Sequence, residues 1–138
     1  MHPPARHEFE PHTGEVQLHL EAQTLVGLFT EAGRALAELM IGACDPIGAE
    51  GHQLVTVRSS DREALLVAWL NELIFRSEVE KRVFTDLRIT RLTDAELTAT
   101  IGGVVAEALR TQPKAATLHE LSIRRAHEGY TAKVVIDV

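Results

Sequence analysis

The stretch Tyr130-Thr131-Ala132-Lys133-Val134-Val135-Ile136-Asp137-Val138 constrains this chain more than any other. Tyr130, Ala132, Val134, Ile136 and Val138 fall on one side, and Thr131, Lys133, Val135 and Asp137 on the other. A period of two is that of a β-strand, and an apolar strand face has to be covered. The segment therefore predicts a sheet packed against another layer, with this strand built into it rather than trailing as a tail. Its far end puts two carboxylates side by side in the chain, the Asp137 side chain and the Val138 main-chain carboxylate. Such oxygens held by a folded sheet suit a hard cation. A solvated strand end is the plainer reading, and this stretch alone favours it.

A second alternating run lies near the start. Val16, Leu18 and Leu20 point one way and Glu15, Gln17, His19 and Glu21 the other, after a turn-like Pro11-His12-Thr13-Gly14. Glu8-Phe9-Glu10 reads as a short strand, and residues 1–7 as a flexible, proline-broken start. Thr24 is placed to cap a helix whose apolar positions are Leu25, Leu28, Phe29, Ala32, Leu36, Leu39 and Met40, with Gly42 as its stop. A loop from Ala43 to His52 and a short strand Leu54–Arg58 follow. Ser60-Asp61-Arg62-Glu63 fits a capping box with Ser60 as the cap. The helix behind it carries Leu65, Leu66, Trp69, Leu70, Leu73 and Ile74 on one broad stripe and fades near Arg76-Ser77-Glu78. Trp69 on that stripe reads as core.

Residues 83–92 and Glu96–Ile101 alternate as strands joined at Thr93-Asp94, and Gly102-Gly103 reads as a bulge or as the end of the second. Val104 to Gln112 fits either a helical turn or an irregular crossing. Leu118–Arg125 and Tyr130–Val138 form a hairpin around Ala126-His127-Glu128-Gly129. The sum is an α+β fold, two main helices packed on one face of a largely antiparallel β-sheet, in one domain spanning residues 1–138.

Composition bounds the function. At 138 residues the chain can bury roughly two-thirds of its unfolded surface, enough for a core. A formal charge of −6 argues against a nucleic-acid surface spread over the whole molecule. The single Cys44 cannot form an internal disulfide, and no apolar run is long enough to span a bilayer, so the expectation is a cytoplasmic protein with no membrane partner. The seven histidines show no zinc spacing, and phosphate-loop, dinucleotide and nucleophile-elbow motifs are absent.

What remains is a short list of candidates. If the first and last long strands are neighbours, Glu15, Asp137 and the Val138 carboxylate converge at one sheet edge, a set of oxygens suited to Ca²⁺, Mg²⁺ or Mn²⁺. Spacing alone favours two unrelated surface acids. Lys114, held behind Pro113, could grip a phosphate or pair with those acids, and otherwise is a loop lysine. His119 beside Glu120 could do acid–base work, and more commonly such a pair is only hydrogen-bonded. His12 stands close to Glu15 in sequence. Arg124, Arg125 and Lys133 make a modest basic spot.

Several stretches together resemble the archease family. They are His7-Glu8-Phe9-Glu10 with His12-Thr13-Gly14-Glu15-Val16, then Leu65 to Phe75, then Lys114-Ala115-Ala116-Thr117-Leu118-His119-Glu120-Leu121, and last Val135-Ile136-Asp137-Val138. Each is weak alone, and their order and spacing match over nearly the full length. The resemblance implies an α+β fold and an accessory role. Archeases assist the tRNA-splicing RNA ligase, promoting its guanylylation and turnover. It implies a divalent-cation site at Glu15, Asp137 and Val138, with Ca²⁺ expected before Mg²⁺ or Mn²⁺, and a ligase-activating lysine at Lys114. His12 and His119 are possible supports. RNA would be met only through the ligase, and no catalytic residue is expected. One departure matters. The family's aspartate is here Glu15, preceded by Gly14 instead of alanine, with Gln17 where glycine is usual. Glutamate reaches one methylene further, which Ca²⁺ tolerates better than Mg²⁺, so a weakened or altered site is expected. Two rival expectations stand beside this one. The first is a chaperone-like modulator of another RNA-modifying enzyme, such as a tRNA cytosine methyltransferase, working through an apolar patch and no essential metal. The second is a small hydrolase using Glu15 or Asp137 with His119.

Overall fold

The computed structural model describes residues 4–43 and 47–138. Pro46, read above as part of a loop, and residues 1–3 of the expected flexible start lie outside the described residues. In chain order the elements are β1 (Arg6–His12), β2 (Glu15–Ala22), α1 (Leu25–Ile41), β3 (Glu50–Arg58), α2 (Arg62–Glu80), β4 (Arg82–Leu92), β5 (Glu96–Val105), β6 (Ala115–Ala126) and β7 (Gly129–Asp137). The fold is α+β, as the pattern predicted, and every strand pairing is antiparallel. The strands divide into two sheets, one ordered β1-β2-β7-β6 and the other β3-β5-β4.

The alternating faces explain the first sheet. Leu18, Leu20, Val134 and Ile136 are all within 1% of fully buried. The register sets Val16 opposite Ile136, Leu18 opposite Val134 and Leu20 opposite Ala132, so both apolar faces turn the same way. Both helices then touch both sheets. α1 lies on β1, β2 and β7 and also on β4, while α2 lies on β6 and also on β3, β4 and β5. The result is one continuous core. Its widest side chain, Trp69, is fully buried, and its indole N–H donates to the Phe29 carbonyl at 2.9 Å, joining the two helices. α1 accordingly buries residues around about two-thirds of its circumference, including Gly33 and Ala37 outside the main stripe.

Local chemistry sets most boundaries. Thr24 caps α1 by accepting from the Gly27 amide, and Gly42 ends that helix at φ 88°. α2 is capped by Asp61, not by the expected Ser60. The Asp61 carboxylate accepts from the Ala64 amide at 2.8 Å. An acid at this position also meets the positive end of the helix dipole, which a neutral serine does not.

Four expectations are corrected. Arg6 and His7 belong to β1 rather than to a flexible start, because His7 is tied to α1 as described below. His52 belongs to β3, which begins at Glu50. α2 continues past Ser77 to Glu80, Ser77 being buried with its hydroxyl donating to the Arg82 carbonyl. Gly102 and Gly103 lie inside β5, which runs on to Val105, and the pairing with β4 slips between Phe84 and Asp86 opposite them, so of the two readings the bulge holds and the strand end does not. Here glycine admits close neighbours. A Cβ on Gly102 would meet the His52 ring, and one on Gly103 would collide with the Val83 carbonyl.

Candidate functional site

The end of the four-stranded sheet holds most of the candidate residues. Thr13 and Gly14 form a two-residue turn between β1 and β2, Gly14 supplying a left-handed φ of 74°. This turn sets His12 opposite Glu15. The β2–β7 register sets Glu15 opposite Asp137, and the β7–β6 register sets Asp137 opposite Ala115. His12, Glu15, Asp137 and Ala115 thus form one rung across the whole sheet, on the face away from Leu18 and Val134. Directly opposed residues share a face, with Cβ atoms about 5 Å apart. The two acids far apart in sequence are therefore neighbours, both half-buried.

The main chain around this rung is fixed on two sides. The Val138 amide donates to the Gly14 carbonyl at 3.1 Å, which lays the end of β7 against the turn. The Lys114 amide donates to the Asp137 carbonyl at 2.8 Å. Among the described residues, neither the Glu15 nor the Asp137 side chain forms a hydrogen bond or ion pair with another side chain. Two carboxylates on one rung, without cationic partners, are the hard oxygen donors that Ca²⁺, Mg²⁺ and Mn²⁺ take. No group of three or more His, Cys, Asp and Glu side chains among the described residues is arranged to hold a metal. A cation here would thus need main-chain oxygens and water as well, which Ca²⁺ sites commonly use.

The remaining candidates are placed differently. Lys114 is exposed, and only its backbone is tied to Asp137. The β6–β7 register breaks between Thr117 and Ser122, and Glu120 in that excursion has a left-handed φ of 54°. Its carboxylate reaches Lys133 at 3.1 Å, and that hydrogen bond, followed by the lysine's charge, holds it below the usual carboxylate range. His119 is exposed and its acidic neighbour is Glu120 at 3.9 Å; the structure does not join it to Glu15 or Asp137. The His12 ring lies 3.8 Å from Glu10, whose other oxygen is 3.0 Å from His19. The His19 hydrogen bond is the main cause holding Glu10 below its ordinary pKa. Of the basic spot read from the sequence, Lys133 meets Glu120 and Arg125 lies 6.0 Å above the Tyr130 ring.

Two residues outside this rung make contacts that the sequence did not signal. His7 bridges β1 to α1, with Nδ1 2.7 Å from the Glu31 carboxylate and Nε2 on Glu38. Asn71 on α2 bonds the backbone of Ala116 with both ends of its amide. Neither carries a spacing signal, because each partner lies far away in sequence.

Comparison with known proteins shows the family and the fold. The profile of the Archease protein family (MTH1598/TM1083) matches residues 7–138. Protein archease of Methanosarcina acetivorans is 28% identical, with 96% of each chain covered. Protein archease of Archaeoglobus fulgidus is also 28% identical, over 96% of this chain and 99% of its own. The solution structure of Methanobacterium thermoautotrophicum protein 1598 superimposes with a TM-score of 0.73 at 27% identity, covering 96% of this chain and 98% of that one. A crystal structure from Thermotoga maritima described as an archease and possible chaperone shares the fold, with a TM-score of 0.64 at 22% identity and coverage of 96% and 99%. With a family match running over nearly all of its length, the chain belongs to the archease family.

Proposed function

We propose that this chain is an accessory protein that binds a divalent cation and activates the tRNA-splicing RNA ligase, promoting its guanylylation and turnover. Family membership motivates the role, and one observation supports its application here: the Glu15–Asp137 pairing at the end of the sheet. In this reading the Glu15 and Asp137 side chains and the Val138 carboxylate hold the ion, with Ca²⁺ preferred because the longer Glu15 suits a flexible coordination sphere. The bound ion supplies positive charge at an otherwise acidic rung. The protein's own part is to hold the three oxygen groups together and to present Lys114 beside them. Lys114 is exposed, as a residue that works on a partner has to be.

Replacing Asp137 by Ala tests the reading. Ca²⁺ binding measured by calorimetry and stimulation of ligase guanylylation are both expected to be lost, while the fold persists because the side chain lies on the outer face. Undiminished stimulation by Asp137→Ala would overturn it.

A second reading is a chaperone-like modulator of another RNA-modifying enzyme such as a tRNA cytosine methyltransferase, with no essential metal. It is favoured by the description of the Thermotoga maritima relative and by Phe75 and Val79, which stand exposed one turn apart on α2. Co-purification of a methyltransferase in place of the ligase, insensitive to chelator, would support it over the first.

A further inference from the structure

We infer that Asn71 is a positioning residue for the candidate site: its side-chain amide pins the first residues of β6 and so holds Lys114 beside the end of β7. The inference rests on the ligase-activation reading for its functional consequence, though not for its structural part.

Three observations carry it. The Asn71 carbonyl oxygen accepts from the Ala116 amide at 2.8 Å, and its NH₂ donates to the Ala116 carbonyl at 3.1 Å. One side chain thus satisfies both backbone groups of one residue, as a neighbouring strand would. β6 is an edge strand, with β7 as its single sheet neighbour, so these groups of Ala116 face the open side. Second, the segment is gripped from its other side by the Lys114 amide on the Asp137 carbonyl. Third, the register break that follows Thr117 cuts this short piece off from the rest of β6. Only Ala115, Ala116 and Thr117 pair with β7 before the break. So short a ladder cannot hold a strand by itself, and the α2 side chain supplies the missing constraint. The apolar stripe Leu65, Leu66, Trp69, Leu70, Leu73 and Ile74 leaves Asn71 unexplained. Its half-buried position and paired bonds assign it this task.

The chemistry is specific to an amide. A carboxylate at this position accepts from the Ala116 amide but cannot donate to its carbonyl. A protonated carboxyl does both.

The test compares intact wild type with Asn71→Ala and Asn71→Asp. The readouts are amide exchange at residues 114–117, Ca²⁺ titration and ligase guanylylation. Asn71→Ala is expected to speed exchange at Ala116 and Lys114 by about tenfold or more, the loss of roughly one net hydrogen bond. Exchange at Val134, in the core of β7, should be unchanged. Stimulation of the ligase should fall to the level of Lys114→Ala. Ca²⁺ binding should persist, since Glu15 and Asp137 are held by the β2–β7 ladder. Asn71→Asp, which at neutral pH keeps the acceptor and loses the donor, should show protection at Ala116 between that of Asn71→Ala and wild type and regain it fully in acid, a rescue that a purely space-filling role would not show. Normal exchange at 114–117 in Asn71→Ala, or normal stimulation despite faster exchange, would overturn the inference. If wild type itself fails to stimulate the ligase, the functional reading falls. The exchange data and the acid rescue then still decide whether Asn71 sets this strand.

Discussion

His7 shows how a single residue can hold a strand in place. Both ring nitrogens face carboxylates, Nδ1 on Glu31 and Nε2 on Glu38, and only the protonated imidazolium can donate to both. Burial pushes His7 toward its neutral form. The hydrogen bonds it donates to Glu38 and Glu31, with their charges, outweigh it and raise the pKa above the ordinary histidine value. Arg34, 3.9 Å from Glu31, shares that carboxylate from the helix side. A raised folded-state pKa stabilises the fold fully below the unfolded histidine value, about 6.5, and the contribution is lost as pH rises through the folded value. The melting temperature of wild type is therefore expected to fall more steeply than that of His7→Gln as pH rises from about 6.5, as thermal unfolding on the alkaline side of that value would show. Equal slopes would refute the clamp. Nothing in the spacing of residues 7, 31 and 38 announces this triad. The sequence signals a strand only from Glu8 and leaves His7 in the loose start, because a tie from strand to helix depends on how the two pack. Glu15 and Asp137 are different. Their alternation assigned each to a polar face, and the pairing of their strands is what turned two separate acids into one rung.

At the scale of elements, the period of the apolar residues was enough to find both helices and most strands, and it failed where small or polar residues carry the structure. Ser60 and Asp61 both fit a helix start, and only geometry distinguishes the one whose oxygen reaches the Ala64 amide. Gly102-Gly103 reads as a bulge or a strand end because glycine usually weakens strands. Here each lets another group come close, and the two do so differently. Ala at Gly103 would drive its methyl into the β4 backbone at Val83, which cannot move without opening the β4–β5 ladder. Ala at Gly102 would meet the His52 ring, which can swing away. Denaturant unfolding should thus show Gly103→Ala destabilised by about 1–3 kcal/mol or more, the range for overpacked sites, and Gly102→Ala by clearly less. The displaced His52 would also release Asp86, whose pKa is held low chiefly by the His52 hydrogen bond. Similar losses for the two variants would show that β4 yields where the structure says it cannot.

At the scale of the molecule, two sheets share a pair of helices and one core, so the rung at the end of the first sheet is backed by that core. Among the described residues no helix is long and apolar enough to cross a membrane. A ligand that binds only the folded form stabilises it by mass action, by about 2.7 kcal/mol at a hundredfold excess over Kd. In the proposed function, saturating Ca²⁺ should raise the melting temperature by roughly 5–15 °C, and a chelator should reverse it. Appending one residue after Val138 turns its carboxylate into an amide and should shrink the rise. Absence of any shift with Ca²⁺ or Mn²⁺ would remove the cation from the account.

The slip in pairing between Thr117 and Ser122 has a mechanical consequence. It divides the β6–β7 ribbon into two zippers that need not open together. The outer one, Ser122 to Lys133 around the hairpin tip, can fray and rejoin while the inner one keeps the Glu15–Asp137 neighbourhood intact. A partner protein could therefore bend or replace the hairpin tip without disturbing the acidic rung at the opposite end of the same strands.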